Sequence, residues 1–401
     1  ATADMVIINA GSPAGTGDYT FQAMSKLGEV LVHGVLMMPG KHTVLGRVNG
    51  KPVIGIPGYP IAAVSSFEQF AAPLIAGLAG KRLESRPTIQ VHLAQNLPTR
   101  PDLTEFIRVT LGRVGDKVIA NPLPRGAETI TSLVQADALV AVPASSGGLE
   151  EDQPVAAELL VSPADLDGTL VFLGSHDKTI DLLASFLKLR DPRLRLSSGN
   201  IGSQGGLVAL RQKKAHFGGS HLFDPETNTF NVRSIKCYLR NLSLKLINLA
   251  WREQGLMVAE GNPKNIQTIR DLTRPDIRFI NRQPEASARL LFDYLLKKNE
   301  IEPSLVPGYE REAATHMAAA LNVHSGTADV GFGIFSAAKA LGLDFIPLTS
   351  ERYDLVVPES TFNDPRFQNL LEVIHSQEYQ KAVTALGGYD LKDCGKIFWE
   401  Q

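Results

Sequence analysis

Two turns rich in small residues are the parts of this sequence best suited to chemistry. Segment 9–18, from Asn9 to Asp18, and segment 51–60, from Lys51 to Pro60, each run from an apolar strand candidate through glycine and proline into a predicted helix. The first backbone N–H groups of a helix have no partner within the helix, and they attract phosphate and other anions. Two such turns in a short stretch predict a cleft for a phosphorylated ligand.

The residue types in these turns resemble a known family. The residues that carry the resemblance are Gly11, Ser12, Gly15 and Asp18, the run Pro39 to Lys41, and the turn Pro57, Gly58, Tyr59 and Pro60. Their order and spacing are similar to those of the molybdopterin molybdenumtransferase family (MoeA and the gephyrin E domain), and the similarity continues to about Val161. The resemblance implies insertion of molybdate into adenylylated molybdopterin, with magnesium as cofactor.

The same resemblance implies roles for individual residues. Asp18 matches an acidic active-site residue that would coordinate magnesium or position molybdate. The implied cofactor-binding residues are Gly11, Ser12, Gly15, Lys41, Pro57, Gly58 and Pro60. Plainer explanations stay open, because Asp is a common helix N-cap and Pro a favoured first helical residue. The family also implies a homodimer and a molybdopterin adenylyltransferase as protein partner.

Several positions depart from the family pattern. Gly34 and Met38 stand where the family usually has lysines, and Tyr59 stands where it usually has asparagine. Loss of two ammonium groups removes charge-assisted contacts to a phosphorylated ligand. Ala1 lies only a few residues before the strand candidate Met5 to Ala10, which in the family lies in mid-domain. We therefore expect a piece that lacks the upstream domains and that does not catalyse insertion alone.

The composition limits the classes of protein to consider. With 401 residues, two or three domains are expected. Lys and Arg number 40 against 42 Asp and Glu, which argues against a nucleic-acid partner. The sequence shows no signal segment and no apolar run that predicts a membrane span. Only Cys237 and Cys394 are present, so we expect no disulfide framework and a cytoplasmic location.

The pattern of apolar residues divides the chain into three regions. Residues 1–82 alternate strand and helix candidates, with the clearest helix from Ile61 to Leu78, and predict an α/β domain. Residues 83–162 consist of short strands separated by Pro and Gly, including a hairpin turn at 114–117, and predict a small β-barrel or sandwich, of which the barrel is the expected fold. Residues 163–401 return to strand-helix alternation, which is typical of two α/β lobes around a cleft. We expect lobes of about 163–258 plus 350–401, and 259–349.

The third region carries a second resemblance. Its motifs are Gly174 to Asp177, Asn281 to Gln283 with Ser287 and Arg289, Gly308 to Glu310, Thr315 with His316, Gly326 to Gly331, and Glu351 to Leu355. They resemble the periplasmic-binding-protein-like domain, whose fold also serves LysR-type regulators and molybdate receptors. No basic helix-turn-helix accompanies it, so a DNA-binding regulator of the LysR type is not predicted.

Polar residues at the strand-helix junctions of this region predict a ligand site. The candidate ligand-binding residues are Ser175, His176, Ser203, Ser287, Arg289, His316 and Asp329. Hydroxyl groups and helix N-termini together can hold a tetrahedral oxyanion. The spacing does not separate molybdate or tungstate from sulfate or a small carboxylate, and the preference for molybdate comes from the resemblance alone.

Each candidate also has a structural explanation. Ser175 and Ser203 could be N-caps, Asp329 a surface or hinge residue, and Arg289 the partner of a local carboxylate. The histidines His176, His221 and His316 could converge on a transition metal, but no short His or Cys pair supports this. We expect imidazolium contact with an oxyanion for His176 and His316.

Two hypotheses from different classes follow. In the first, the chain is a molybdenum-insertion enzyme of cofactor biosynthesis whose third region delivers or senses an oxyanion. In the second, it is a non-catalytic sensor of molybdate, tungstate or another small molecule, as Gly34 and Met38 would allow.

Overall fold

The chain forms two compact units. The computed structural model describes residues 3–9, 19–126, 130–284 and 286–401. The N-terminal unit comprises Ala1–Thr169 and the C-terminal unit Leu170–Gln401.

A four-stranded mixed sheet with helices opens the N-terminal unit. The strand order is β1-β5-β4-β2, in which β1 and β5 are parallel and the other pairs antiparallel. The elements are β1 (Val6–Asn9), α1 (Tyr19–Leu27), β2 (Glu29–His33), β3 (Met37–Met38), β4 (Val44–Val48), β5 (Lys51–Ile56), α2 (Pro60–Ser66), a π-helical turn (Phe67–Ala71) and α3 (Ala72–Leu78). The strand-helix alternation of the sequence is thus realised as an α/β layer.

A closed five-stranded barrel completes this unit. Strands pair in the order β10-β12-β6-β9-β8, and β8 returns to pair with β10. Its elements are β6 (Thr88–Leu93), β7 (Leu97–Pro98), β8 (Thr104–Val114), β9 (Lys117–Pro122), α4 (Thr131–Gln135), β10 (Ala138–Val142), β11 (Gly148–Leu149), β12 (Pro154–Leu159) and a 3-10 turn (Pro163–Leu166). Val, Leu and Ile side chains such as Val91, Val109 and Val140 fill the interior. The predicted barrel and the hairpin at 114–117 are confirmed.

The helix Pro60–Leu78 keeps much of its apolar surface uncovered within this unit. Val64, Phe67, Ile75 and Leu78 are exposed by 38–52%, whereas Ala71 is buried. The helix is 19 residues long with a mean hydropathy of 1.4, enough by length and composition to cross a membrane. The expectation that the sequence has no apolar run long enough to span a membrane was therefore wrong by length and composition. The core helix of a water-soluble protein can also meet this criterion.

The C-terminal unit is built on two long antiparallel strands. The main sheet has the order β15-β22-β18-β21-β19-β20, and β18 and β22 each span 15 residues. The strands are β13 (Thr169–Gly174), β14 (Arg195–Asn200), β15 (Gly218–Ser220), β16 (Phe223–Asp224), β17 (Thr229–Phe230), β18 (Leu244–Val258), β19 (Phe279–Arg282), β20 (Glu312–Ala313), β21 (Val330–Ile334), β22 (Asp344–Pro358), β23 (Tyr389–Asp390) and β24 (Ile397–Glu400).

Helices flank these strands around separate hydrophobic cores. The helices are α5 (Lys178–Arg190), α6 (Gly202–Arg211), α7 (Val232–Tyr238), α8 (Ser287–Lys298), α9 (His316–His324), α10 (Phe335–Ala340), α11 (Glu359–Phe362), α12 (Pro365–His375) and α13 (Gln377–Leu386), with 3-10 turns at Ile269–Thr273 and Pro303–Leu305. One core joins Phe172, Phe217 and Phe367, and another joins Phe279, Phe292 and Phe332. Because β18 and β22 contribute to both cores, they connect two lobes.

One predicted helix of this unit begins too early. The sequence pattern predicts a helix from Glu312 to Leu321, but Glu312 and Ala313 form β20, which pairs with Asn281 and Arg282. The helix begins at His316, after Thr315, whose hydroxyl accepts the Ala318 N–H at 2.9 Å. The helix starts at this cap because Glu312 and Ala313, just before it, already belong to β20.

The close packing of α6 on β13 can be tested by substituting two adjacent glycines of α6. A Cβ at Gly206 would lie 2.7 Å from the Leu173 carbonyl oxygen, whereas at Gly205 the nearest atom is 3.4 Å away. We expect Gly206→Ala to destabilise the C-terminal unit by about 1–3 kcal/mol. Gly205→Ala should instead stabilise it by up to about 1 kcal/mol, because alanine favours helix.

Urea denaturation followed by tryptophan fluorescence would measure both variants. Trp251 and Trp399 are the two tryptophans of the chain and both belong to the C-terminal unit, so the signal reports on that unit alone. Equal effects of the two substitutions would contradict the close approach of α6 to β13.

Candidate oxyanion site in the C-terminal unit

A cavity of about 620 Å³ gathers polar side chains from many segments of the C-terminal unit. Its lining includes Ser175, His176, Asp177, Lys178, Asn200, Ser203, Gln204, His221, Arg252, Arg282, Gln283, Ser287, Thr315, His316, Ser336 and Tyr389. Most of these residues follow a strand or begin a helix, since the strand ends and helix starts of both lobes meet here.

Among the described residues, five helix N-termini border the cavity, and three of them have no side-chain cap. Asp177 caps α5 and Thr315 caps α9 through their side chains. In contrast, α6 begins after Ile201, α8 after Ala286 and the short α10 after Ile334, and none of these residues can cap with a side-chain hydrogen bond. The early residues of the two longer helices α6 and α8, such as Gly202, Ser203 and Ser287, line the cavity. Their backbone N–H groups are suited to an anion.

Arg282 supplies a buried positive charge at the cavity wall. It is 8% exposed, and its guanidinium donates to the backbone oxygens of Ala313 and Ala314 at 3.1 Å. Among the described residues, no carboxylate lies within ion-pair distance of it. Burial lowers the pKa of Arg282, although the group remains a cation. A bound anion would compensate this charge.

A buried ion network lies beside the cavity. Arg252, at 4% exposure, donates from Nη1 to Asp177 at 2.9 Å and pairs through Nη2 with Glu351. Burial alone would raise the pKa of both carboxyl groups, but the Arg252 guanidinium outweighs it and holds both pKa values low. The Tyr389 hydroxyl also donates to Asp177. Both carboxylates are therefore ionised, and both are buried.

His221 connects this network to the cavity. Its Nδ1 lies 3.3 Å from Glu351 Oε2, and its Nε2 lies 2.9 Å from Ser175 Oγ. Its backbone N–H donates to Ser203 Oγ at 3.2 Å. One histidine thus contacts two of the three serines that the sequence places at the site.

Five of the seven predicted ligand-binding residues line the cavity, namely Ser175, His176, Ser203, Ser287 and His316. The N-cap explanation for Ser175 and Ser203 is wrong, because Asp177 precedes α5 and Ile201 precedes α6. His176 bonds to Asp181 at 3.0 Å, which raises its pKa. His316 begins α9, and burial together with Arg282 lowers its pKa well below the usual value, so the expected imidazolium role of His316 is wrong.

The other two predicted residues lie outside the lining. Arg289 donates to the Arg282 carbonyl and to Asp293, and it stacks on the ring of Tyr309. Asp329 accepts three hydrogen bonds from Arg278. Arg289 matches its structural explanation, a local ion pair, whereas Asp329 is half-buried and paired with Arg278. The structure brings neither residue to the cavity.

A metal site is not evident among the described residues. His176, His221 and His316 all line the cavity, yet no group of three His, Cys, Asp or Glu side chains in the described ranges is arranged to hold a metal ion. The magnesium predicted at Asp18 falls on a residue outside these ranges, as do the predicted roles of Gly11, Ser12 and Gly15.

The remaining candidates of the N-terminal unit lie near one end of its sheet. Parallel strands β1 and β5 end opposite each other at Asn9 and Ile56, and Pro57 and Gly58 follow β5 before Pro60 begins α2. The loop with the exposed Lys41 is tied to α2, because Thr43 Oγ1 bonds both the Gly40 carbonyl and Ser66 Oγ at 2.7 Å. Gly40 has φ +117° and contacts Met37, so a side chain does not fit there.

This unit also has a cavity of about 310 Å³ next to the loop. Arg100, Arg108 and Arg125 line it together with the buried Glu105, and Met38 and Pro39 close one side. Arg125 pairs with Glu105 at 3.3 Å, and Arg108 donates to Ser132 at 3.0 Å. Met38, which stands in place of a family lysine, therefore faces a cationic cavity.

Sequence reasoning missed the charged residues behind the C-terminal cavity. Arg252, Arg282 and Glu351 were not candidates, and His221 was considered only as a metal ligand. Arg282 and Glu351 lie within motifs that the sequence resemblance includes, which was the available signal. Arg252 and Glu351 are register partners across β18 and β22, a pairing that separates them by about 100 residues in sequence.

The fold and the two cavities define a MoeA-type unit joined to a two-lobed binding unit, and comparison with known proteins agrees. The family described as "Probable molybdopterin binding domain" matches residues 1–77, "MoeA C-terminal region (domain IV)" matches 90–160, and "PBP superfamily domain" matches 184–375. The chain therefore carries domains of molybdopterin biosynthesis proteins together with a domain of the periplasmic-binding-protein type.

Individual relatives define the family of the chain more narrowly. "Uncharacterized protein YvgK" of Bacillus subtilis is 37% identical over 254 residues, which are 62% of this chain and 81% of that protein. The chain belongs to the same family as YvgK. The molybdopterin molybdenumtransferase of Bacillus subtilis is 27% identical over 159 residues, 39% of this chain and 37% of that protein. A solved molybdopterin biosynthesis MoeA protein from Pyrococcus horikosii shares 30% identity, covers 40% of this chain and 38% of that chain, and has a TM-score of 0.33.

Proposed function

We propose that this chain acts in molybdenum cofactor biosynthesis as a binding protein for two ligands. The C-terminal cavity binds a small oxyanion, and the N-terminal unit binds a molybdopterin nucleotide. The observation that carries the proposal is the cavity of the C-terminal unit, where the uncapped N-termini of α6 and α8, serine hydroxyl groups and the buried Arg282 face the same space. Backbone N–H groups, hydroxyls and an arginine are the donors that oxyanion sites use.

The catalytic form of this proposal is insertion of molybdate into adenylylated molybdopterin. The family match of residues 1–77 and 90–160 supports it, with Asp18, Lys41 and magnesium in the roles that the resemblance implies. This chain spans 37% of the molybdenumtransferase it matches, and a homodimer, an adenylyltransferase partner and a cytoplasmic location remain part of the same proposal.

One observation favours the alternative, a non-catalytic sensor. Met38 lines the cationic cavity of the N-terminal unit where the family usually has a lysine, and Gly34 replaces a second one. Without these ammonium groups the unit would hold a phosphorylated ligand less tightly, while the C-terminal cavity would still bind an anion. A cofactor reconstitution assay with the complete protein separates the two, because only the enzyme inserts molybdenum.

Calorimetric titration of the chain with phosphate, sulfate, molybdate and tungstate tests the binding proposal. We expect at least one of these tetrahedral oxyanions to bind, and Ser203→Ala to weaken that binding about 10- to 100-fold, because a hydrogen bond to a charged group contributes about 1.5–3 kcal/mol. Ser185→Ala is the matched control, since Ser185 lies on the exposed side of α5 and bonds the Asp181 carbonyl. Failure of all four anions to bind would refute the proposal.

A further inference from the structure

The C-terminal cavity is much larger than a tetrahedral oxyanion. Its volume is about 620 Å³, whereas phosphate or molybdate fills roughly the space of three water molecules, about 100 Å³. Cavities of about 300–1,000 Å³ are typical of sites for small organic molecules, which they enclose almost completely. An inorganic anion held at one place in this cavity would leave most of the volume to water.

Apolar side chains line the cavity on both lobes. On one lobe Ile201 precedes α6 and Leu222 follows β15, and on the other Met317 lies in α9 and Ile334 precedes α10. Met317 is 42% exposed, and the other three side chains are half-buried. An inorganic oxyanion has no apolar surface with which to cover these side chains. A hydrocarbon body would cover them and release the water that they contact.

The hydrogen-bond donors of the cavity show where the acid group of such a ligand would bind. Arg282 is 8% exposed, and none of the described groups accepts a hydrogen bond from its Nη1. The uncapped helices α6 and α8 present Ser203 and Ser287 to the same cavity. Ile201 comes directly before α6, so an apolar side chain lies beside one group of donors. The cavity thus combines an anion site with apolar walls.

We propose that the ligand of this cavity is a small organic anion, a molecule with one phosphate or carboxylate group and an apolar body. The acid group binds to Arg282 and to the N–H groups that open α6 and α8. The body contacts the apolar walls and displaces water from them, which adds affinity to that of the acid group. This proposal rests on the proposed function, because the acid group occupies the proposed oxyanion site.

Calorimetric titration of the complete chain tests this ligand class. The probes are phosphate, sulfate, molybdate, tungstate, phenyl phosphate, benzoate and benzyl alcohol. We expect phenyl phosphate or benzoate to bind at least tenfold more tightly than any of the inorganic anions. A tenfold gain requires burial of only about 55 Å² of apolar surface, less than the ring offers. The tighter of the two organic anions identifies the acid group as phosphate or carboxylate.

The other outcomes separate this proposal from the oxyanion site. An inorganic anion that binds as tightly as both organic anions would overturn the organic ligand and leave the oxyanion site standing. Benzyl alcohol carries the ring without the acid group, and we expect no measurable binding. If it binds as tightly as phenyl phosphate, the acid group contributes nothing and the oxyanion site fails as well. Binding of none of these compounds would also overturn both.

Met317→Gln tests the contact with the apolar wall. Glutamine keeps the length of the side chain but is polar, so the tighter organic anion should bind about three- to tenfold more weakly while inorganic phosphate is unaffected. Leu321→Gln is the matched control, because Leu321 lies one turn further along α9, is 54% exposed and lies outside the cavity lining. Unchanged binding of the organic anion by Met317→Gln would show that the body does not reach this wall, and the proposal would fail.

Ser203→Ala tests whether the organic and inorganic anions share one site. Because Ser203 would contact the acid group in both cases, the substitution should weaken phosphate and the organic anion by the same factor. A loss confined to inorganic phosphate would place the two ligands at different positions and overturn the proposal.

Discussion

Replacing Arg252 with methionine should lower the free energy of unfolding of the C-terminal unit by about 3–5 kcal/mol, the largest effect we expect from a single substitution. Arg252 is the common partner of Asp177 and Glu351, and all three side chains are at most 5% exposed. Methionine retains the volume but leaves two buried carboxylates without a cation. Burying a charge without its partner costs more than the pair itself contributes.

Urea denaturation followed by the fluorescence of Trp251 and Trp399 would measure this loss in the C-terminal unit only. Arg193→Met is the matched control, because Arg193 pairs with Asp191 at 2.8 Å on the surface with its side chain 89% exposed. That variant should unfold as the unsubstituted chain does. A loss below about 1 kcal/mol in Arg252→Met would show that solvent reaches the two carboxylates.

A second substitution tests whether this loss of stability comes from the unpaired carboxylates. Adding Glu351→Gln to Arg252→Met removes one of the two unpaired charges and keeps a side-chain oxygen near His221. The double variant should therefore be more stable than Arg252→Met alone, although Glu351→Gln by itself should destabilise the unsubstituted chain. Additive losses would contradict direct coupling between the two residues.

Local sequence signals predicted the elements that local interactions determine. The strand Ala138–Val142 and the hairpin at 114–117 are found as predicted, because alternation and a glycine turn are properties of a few adjacent residues. The start of α9 was misplaced because Glu312 and Ala313 pair with β19, about 30 residues earlier in the chain. A helical apolar pattern could not reveal that partner.

The apolar residues of the helix Pro60–Leu78 illustrate a second limit. Their spacing predicts the helix correctly, but Phe67, Ile75 and Leu78 remain exposed within the N-terminal unit. Periodicity shows that a helix has an apolar face and does not show what covers it.

The residues of the candidate site also differ in whether local sequence signals could predict them. Ser175, Ser203 and Ser287 could be predicted because each follows a strand or opens a helix, and such junctions meet at one edge of an α/β layer. Arg252 and Glu351 could not, because they meet only through the register of β18 and β22. The serines are thus a local feature of the sequence, whereas the charges that determine their hydrogen bonds depend on the tertiary fold.

Acid should destabilise the C-terminal unit through a histidine outside the cavity. His216 is 8% exposed, and its Nδ1 accepts the Val171 backbone N–H at 2.9 Å. Burial and the Arg366 guanidinium, opposed in part by the Asp364 carboxylate, lower the pKa of His216 to about 4. The unfolded chain binds a proton at this residue near pH 6.5, whereas the folded chain does so only near pH 4.

The sign of the pH effect follows from this difference. Between these pH values the unfolded state holds more protons, so stability falls as the pH falls, by about 2 kcal/mol at pH 5 and about 3 kcal/mol at pH 4. Below about pH 4 both states are protonated and His216 adds no further loss. Other groups titrate over the same range, so the contribution of His216 must be measured as a difference from a variant without the imidazole.

His216→Asn is suited to this measurement, because its side-chain oxygen can replace Nδ1 as acceptor for the Val171 N–H and does not titrate. Tryptophan-detected urea denaturation of both proteins from pH 7 to pH 4 gives the two stability profiles. We expect the unsubstituted chain to lose about 3 kcal/mol more than His216→Asn over this range. Parallel profiles would mean that His216 takes up its proton in the folded state, with the Asp364 carboxylate outweighing both burial and Arg366.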